Sequence, residues 1–507
     1  LRSRLAMPSR LLQILVFISG MSVMAAEMTG LRLLAPFFGT SLVVTTVLIG
    51  SMMTFLALGY WLGGRWSDRK PEFRTLSRVT AGASVLILLI PVLGQPVLRT
   101  SAAAIRPLLQ GEEVSEPTVA VAMLIGGFLA TLGLFALPVV LMGTVSPWAI
   151  RLAVTDVQTA GKVSGRLYAL STLGSIIGSF LPALLLIPLL GVRNTFFAIG
   201  TVLMAASAPG LLRGARAALP PAGMAALMLL PPGTVRPMDG LIWEGESLYH
   251  FIQVVEQPLN DCPNARYLYL NEGVGVHSIK CPDPDPDREA RGYWSYMAAV
   301  PYYFEEPEDF DRALIIGLAG GTIGRKLLAN FPDIEIDGVE LDGTVVKVGE
   351  TWFDNADPRI HPIVMDGRTF LQVSDQQYDL VLVDAYRQPY IPFHLTTHEF
   401  FELIANHLTE DGLVAVNVAT LYGETQDLEA MIYRTMAETF PTVLRIDASA
   451  SNDILVGARK PKDIELYAAQ IQTLPNARLS RIRDGIQDKV HAEVEGWETA
   501  RLLTDDR

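Results

Sequence analysis

Cysteine is nearly missing from these 507 residues; Cys262 and Cys281 are the whole supply. A dense disulfide scaffold is excluded, and one bridge is the most the chain can form. Charge is also scarce. Charged residues make up 18% of the chain against 50% hydrophobic, which implies a part that meets lipid rather than water. Acids are thin at one end: residues 1–238 hold 7 Asp and Glu against 18 Lys and Arg, whereas 239–507 hold 46 against 22. An acidic second half argues against nucleic acid as a partner, since its binders need basic surface, and would tolerate a cationic small molecule. The apolar runs hold too few ionisable residues for a transport pathway. The first run has no small-residue cleavage site and further runs follow, so it does not read as a cleaved leader.

What is present divides in two. Apolar runs at 11–31, 41–64, 79–98, 118–142, 167–190 and 194–212 are each long enough to cross about 30 Å of hydrocarbon. A shorter seventh, 217–231, is edged by Pro220, Pro221, Pro231 and Pro232 and either spans a thin bilayer or lies at the interface. Basic residues (Arg10, Arg69, Lys70, Arg151, Lys162, Arg213 and their neighbours) fall on one side, which by charge bias faces the cytoplasm. With the seventh span the acidic half lies outside; without it, inside. Glu27 and Arg32 read as a self-neutralising pair near the end of the first span. Gly50, Gly59, Gly63, Gly174, Ser175, Gly178 and Ser179 read as helix-packing positions. The expected architecture is a multispan α-helical membrane domain (1–232), a small β-domain with a linker helix (233–300) and an α/β Rossmann-like domain (301–507).

In the acidic half, 241–257 suits a strand pair, and 266–270 with 274–279 flank Asn271-Glu272-Gly273, a hairpin turn. Cys262 and Cys281 are equidistant from a hairpin centre between residues 271 and 272. A cross-strand disulfide and two free thiols are both compatible with this spacing; the first would imply an oxidising compartment. The stretch 312–342 then reads as strand, glycine turn (Gly317, Gly320, Gly321), helix and strand, ending in Glu340 and Asp342. This is the βαβ unit of a nucleotide-binding sheet. Glycines let a ligand approach the backbone, and the helix N-terminus offers free N–H groups. Further strands at 360–365 and 378–386 end near Asp366 and Asp384. The glycine turn and the three acids Glu340, Asp366 and Asp384 are therefore expected at one sheet edge, where open parallel sheets bind ligands. The tail after 460 is polar and expected to be helical.

At these residues the chain resembles the spermidine synthase family, in particular bacterial proteins in which a multispan membrane region is fused to a spermidine-synthase-like domain. The likeness rests on LGYWLGGRWSDR (58–69), LIIGLAGGT (314–322), GVELD (338–342), MDGR (365–368), YDLVLVDAY (378–386), IPFHLTTHEFF (391–401) and LTDDR (503–507). The resemblance implies a methyltransferase-type fold after a small β-domain. It also implies an aminopropyl donor, decarboxylated S-adenosylmethionine or a relative such as S-adenosylmethionine, an amine acceptor, and no metal. On matching positions Gly317, Ala319, Gly320 and Gly321 would form the cofactor turn, Glu340 would hold the ribose and Asp366 the adenine. Asp384 and Tyr386 would be catalytic, with His394 nearby. Six positions depart from the family pattern. Ala319 stands where the resemblance implies an acid between the glycines, and Arg387 replaces a second acid after Asp384. Trp294-Ser295-Tyr296 replaces a Tyr-His-Glu triplet, and His250 a Gln. A diamine calls for negative charge at both ends. The alternative to a transferase is a degenerate fold serving as a ligand-binding or structural subunit among membrane-complex partners.

Overall fold

Long runs of apolar residues leave the backbone one economical way to satisfy its polar groups away from water, the helix. The computed structural model follows that rule. It describes residues 9–39, 41–109, 116–231, 233–259, 262–271, 273, 275–281, 292–385, 392–419, 425–449, 451–473, 480–483 and 485–506. The chain forms two compact units: Leu1–Gly111, Pro117–Pro237 and Gly245–Phe251 make one; Glu112–Glu116, Met238–Glu244 and Ile252–Arg507 make the other.

The first unit holds α1 (Ser9–Phe38), α2 (Leu42–Arg69), α3 (Phe73–Ile105), α4 (Glu116–Gly143), α5 (Val145–Ala153), α6 (Ala160–Leu181), α7 (Ile187–Ser207) and α8 (Leu219–Ala226). Among the described residues, five helical segments are long and apolar enough to cross a membrane by length and composition. The last of them, Val157–Gly210, breaks at Gly191, whose φ of 74° is not helical. Its two halves correspond to the expected runs 167–190 and 194–212. The expected seventh run does not form one helix. It folds as a 3₁₀ turn, the eight-residue α8 and another 3₁₀ turn; α8 alone is about 12 Å long. Four of the small residues act as expected. A side chain at Gly174 or Gly178 would strike the α1 backbone at Phe17 or Met21, and one at Gly59 or Gly63 the backbone at Val140 or Thr144. Gly50 instead faces open space. Glu27 is buried at 6% exposure; because α1 continues to Phe38, Glu27 lies well inside the helix rather than near its end.

The second unit is built on β-structure. Strands β1 (Leu241–Glu246), β2 (Phe251–Leu259), β3 (Cys262–Leu270) and β4 (Ser278–Lys280) make a four-stranded sheet in that order, and α9 (Tyr293–Ala299) follows. Arg266 pairs with Lys280 and Leu268 with Ser278, so the hairpin loop runs from 271 to 277 and β4 starts four residues later than expected. Cys262 and Cys281 form a disulfide.

Next come β5 (Arg312–Ile316), α10 (Thr322–Asn330), β6 (Glu335–Glu340), α11 (Gly343–Trp352), β7 (Ile360–Val364), α12 (Gly367–Val373), β8 (Tyr378–Val383), α13 (His398–His407), β9 (Leu408–Ala419), α14 (Thr425–Ala437), β10 (Thr442–Ser449), β11 (Asn452–Ala458), α15 (Ile464–Thr473), α16 (Ser480–Arg483) and β12 (Val490–His491). The expected helical tail is thus two short helices, a strand and turns. The eight strands order as β12-β10-β11-β9-β8-β5-β6-β7. The run β9 to β7 is parallel, whereas β11 and β10 are antiparallel additions. This is a doubly wound, Rossmann-like sheet of methyltransferase type, with its switch point between β5 and β8. Its central strands β5 and β8 read as nearly unbroken apolar runs because both faces are covered. Ala313, Ile315, Leu380 and Leu382 join the core beneath Trp294, Leu327 and Tyr467. Leu314, Ile316, Val381 and Val383 join the opposite core with Phe370, Phe400 and Ile432. Parallel pairing of β7, β6, β5 and β8 brings their C-terminal ends to one edge.

Candidate functional site

The glycine turn after β5 is locked from three sides. Gly317 N–H donates to Val339 O at 2.8 Å. Gly320 N–H donates to Ser278 Oγ at 2.8 Å. Thr322 Oγ1 accepts from Ile279 N–H and donates to Ile279 O, both at 3.0 Å. The Arg325 guanidinium donates to Gly320 O at 2.6 Å and to Ile279 O at 2.8 Å. Gly321 takes φ 77°, and a Cβ there would collide with the Asn355 amide. Ala319 is also left-handed, at φ 48°, although it carries a Cβ; this conformation costs an L-residue about 1–2 kcal/mol. Its N–H donates to Glu340 Oε2 at 3.0 Å, and Asp342 N–H donates to Glu340 Oε1 at 3.1 Å. The acid ending β6 therefore reaches the turn after β5, as the βαβ reading requires.

Asp384 follows β8 directly. Its N–H donates to Ile316 O at 2.8 Å, which places it beside Gly317. The carboxylate accepts from Tyr293 O–H at 3.1 Å on Oδ2 and from Asn417 Nδ2 at 2.8 Å on Oδ1. Burial pushes its pKa up to about 7, against the pull of the Asn417 and Tyr293 hydrogen bonds. Carboxylate, amide and phenol open on a cavity of about 290 Å³ that Ala319, Trp294, His277, Ser449, Ser451 and Asn452 also line. Asp384 and Ala319, two of the expected site residues, thus share one cavity, with Gly317 and Glu340 just behind. Tyr386 and Arg387 lie outside the described residues.

Asp366 is placed differently. It caps α12 by accepting from Thr369 N–H at 2.9 Å, and its other oxygen meets His394 Nε2 at 2.9 Å. Partial burial works against ionisation, but the Thr369 and His394 contacts outweigh it and hold the pKa below the ordinary carboxylate range. Next to it, Arg368 makes a two-pronged pair with Asp505 at 2.6 and 2.5 Å. Neither Asp366 nor His394 lines the Asp384 cavity. Of the substituted positions, Trp294 is a wall of this cavity, the Tyr296 phenol oxygen accepts from Lys489 Nζ at 2.7 Å, and His250 does not line this cavity.

Asn417 is the main residue that pattern reading passed over. It is 2% exposed within the apolar strand LVAVNVA. A polar side chain inside a strand buried on both faces is itself a signal, because such a group needs a partner. Tyr293, the first residue of α9, was passed over as well. A larger cavity, about 430 Å³, lies against the start of β8 at the other sheet edge; it is lined by acids including Glu306, Asp309, Asp379 and Asp411, and no glycine turn borders it.

Residues 291–448 match the family model described as the spermine/spermidine synthase domain. A probable polyamine aminopropyl transferase of Bifidobacterium longum is 28% identical over 249 residues, 47% of this chain and 53% of that protein, so the chain spans about half of that relative. A polyamine aminopropyltransferase of Lachnospira eligens is 30% identical over 207 residues, 39% of this chain and 67% of that protein. Among solved structures, a probable spermidine synthase from Corynebacterium glutamicum superposes with a TM-score of 0.41 at 19% identity, covering 53% of this chain and 97% of that one.

Proposed function

We propose, on the premise that this chain belongs to the polyamine aminopropyltransferase family, that its second unit moves an aminopropyl or related group from a nucleoside sulfonium donor to an amine. The observation that carries this reading is Asp384: a carboxylate at the ligand-binding edge, facing a cavity and held by two donors. An ammonium ion is no nucleophile, so a base must first take its proton. A carboxylate whose pKa sits near 7 is matched to that task. The neutral amine then attacks the carbon beside the sulfonium; the C–N bond forms, the C–S bond breaks, and the methylthionucleoside leaves with the sulfur electron pair. The product leaves as a secondary ammonium ion, and Asp384 returns the proton it took to solvent. The donor's nucleoside would lie along the glycine turn toward Glu340. We assign Asp366 to the adenine and Tyr386 to the acceptor side on the family resemblance. The first unit would anchor the enzyme in a bilayer. Its large apolar residues at the surface, among them Met53, Trp61, Phe180 and Leu189, support this, since patches of that kind mark contact with lipid or protein.

The test uses the full chain in detergent with decarboxylated S-adenosylmethionine and a panel of primary amines. Release of methylthioadenosine, lost in Asp384→Asn, is the expected result. A second reading, a nucleoside-binding subunit of a membrane complex without turnover, is favoured by Ala319 at the position where the resemblance implies an acid. Calorimetric binding of methylthioadenosine without any transfer would select it. Absence of binding to methylthioadenosine and to S-adenosylmethionine alike would refute both.

A further inference from the structure

The polar groups behind Asp384 form a directed chain. Asn417 gives its Nδ2 to Asp384 at 2.8 Å. Its Oδ1 in turn accepts from Asn452 Nδ2 at 3.0 Å. Asn452 Oδ1 accepts from Ser451 Oγ at 3.1 Å and from Ser449 Oγ at 3.3 Å. A carboxamide can present either end to a neighbour. Turned over, Asn417 would point its carbonyl oxygen at a carboxylate and repel it. The Asn452 amino group opposite Oδ1 prevents that turn, and two serine hydroxyls hold Asn452. The strand pairing fixes the spacing: Ile454 of β11 lies opposite Asn417 of β9, which sets Asn452 two residues along on the same sheet face.

We propose that Asn452 is a positioning residue: acting through Asn417, it keeps a hydrogen-bond donor aimed at Asp384 and so holds this carboxylate in its base form. The proposal rests on reading Asp384 as the base of the transfer. Asn452 makes no direct hydrogen bond to Asp384, and its effect passes through one amide. The titratable groups facing the same cavity among the described residues are Tyr293 from α9, which also donates to Asp384, and His277 from the loop before β4. Neither lies between Asn452 and Asn417.

The test compares Asn452→Ala, Asn417→Ala and the double variant in the full chain, reading turnover against pH. Asn452→Ala should move the acidic limb upward by up to about one unit. That is up to roughly tenfold lower kcat at pH 6 and a much smaller loss at pH 9, with KM for the sulfonium donor changed less than twofold by expectation. Asn417→Ala should move the limb at least as far, and the double variant no further than Asn417→Ala alone. A limb unmoved by Asn452→Ala, or full additivity with Asn417→Ala, would overturn the relay. If the wild type shows no turnover, the base reading fails, and the relay is judged by thermal unfolding. The pH dependence contributed by Asp384, taken against Asp384→Asn, should then shift in Asn452→Ala and shift no further in the double variant. An unshifted dependence refutes the relay independently of activity.

Discussion

Replacing Asp384 by Asn should make the protein more stable at pH 8 while abolishing transfer. The carboxyl titrates at about 7 in the fold against 3.8 as its ordinary value. Below about pH 3.8 both states carry the proton and the group costs nothing. Between about 4 and 7 the folded state keeps a proton that the unfolded chain has lost, so stability falls as pH rises; above about 7 the whole penalty is present. A gap of about three pH units corresponds to roughly 4 kcal/mol. Asparagine recovers less than that. It offers one acceptor to two donors, Tyr293 and Asn417, and an orphaned donor costs about 1–3 kcal/mol. The net gain at pH 8 is then about 2 kcal/mol, or roughly 4–8 °C in Tm for a unit of this size. The assay is paired thermal unfolding of wild type and variant in detergent at pH 4.5, 6 and 8. The advantage should shrink steadily toward pH 4.5. A variant less stable at pH 8, or a difference independent of pH, would show that burial does not dominate this carboxyl.

Three further outcomes follow from packing elsewhere. Behind the β10–β11 hairpin, Arg445 contacts Glu429 at 2.7 Å, Asp447 at 2.9 Å and Asp453 at 3.3 Å. Burial and then Asp453 push Glu429 up to about 7 despite Arg445. Arg445→Met strands these acids and should cost about 3–5 kcal/mol at pH 8 in urea melts. The loss should be smaller at pH 6, where Glu429 takes a proton. Cys262→Ser opens a disulfide spanning 19 residues and should cost about 3 kcal/mol; in the wild type both thiols should resist alkylation until reduced. Gly321→Ala drives a Cβ into Asn355 and strains a left-handed position. It should lower Tm and weaken methylthioadenosine binding measured by calorimetry.

Much of the Rossmann-like sheet was legible because its strands are buried on both faces and so are written as apolar runs punctuated by glycine and acid. The hairpin before it was not. Its Asn271-Glu272-Gly273 sequence suggests a tight turn, yet Ser278 and Ile279 are held by Gly320, Thr322 and Arg325. Tertiary contact with the glycine turn, not local turn chemistry, sets where β4 begins. The Asn452 relay was invisible for a related reason: Asn and Ser at a hairpin tip look like ordinary turn residues until strand register sets them beside Asn417. At 217–231 the sequence left a span and an interfacial segment both open; the stretch folds as an eight-residue helix between 3₁₀ turns.

Glu340 has a consequence for how a ligand would be received. Two backbone N–H groups already immobilise its carboxylate, so little rotamer freedom remains to be lost when a diol arrives. A carboxylate oxygen can accept more than one hydrogen bond. Recognition at this point would therefore carry a small ordering penalty. It would discriminate by geometry: a sugar missing either hydroxyl would meet an acid unable to swing toward the one that remains.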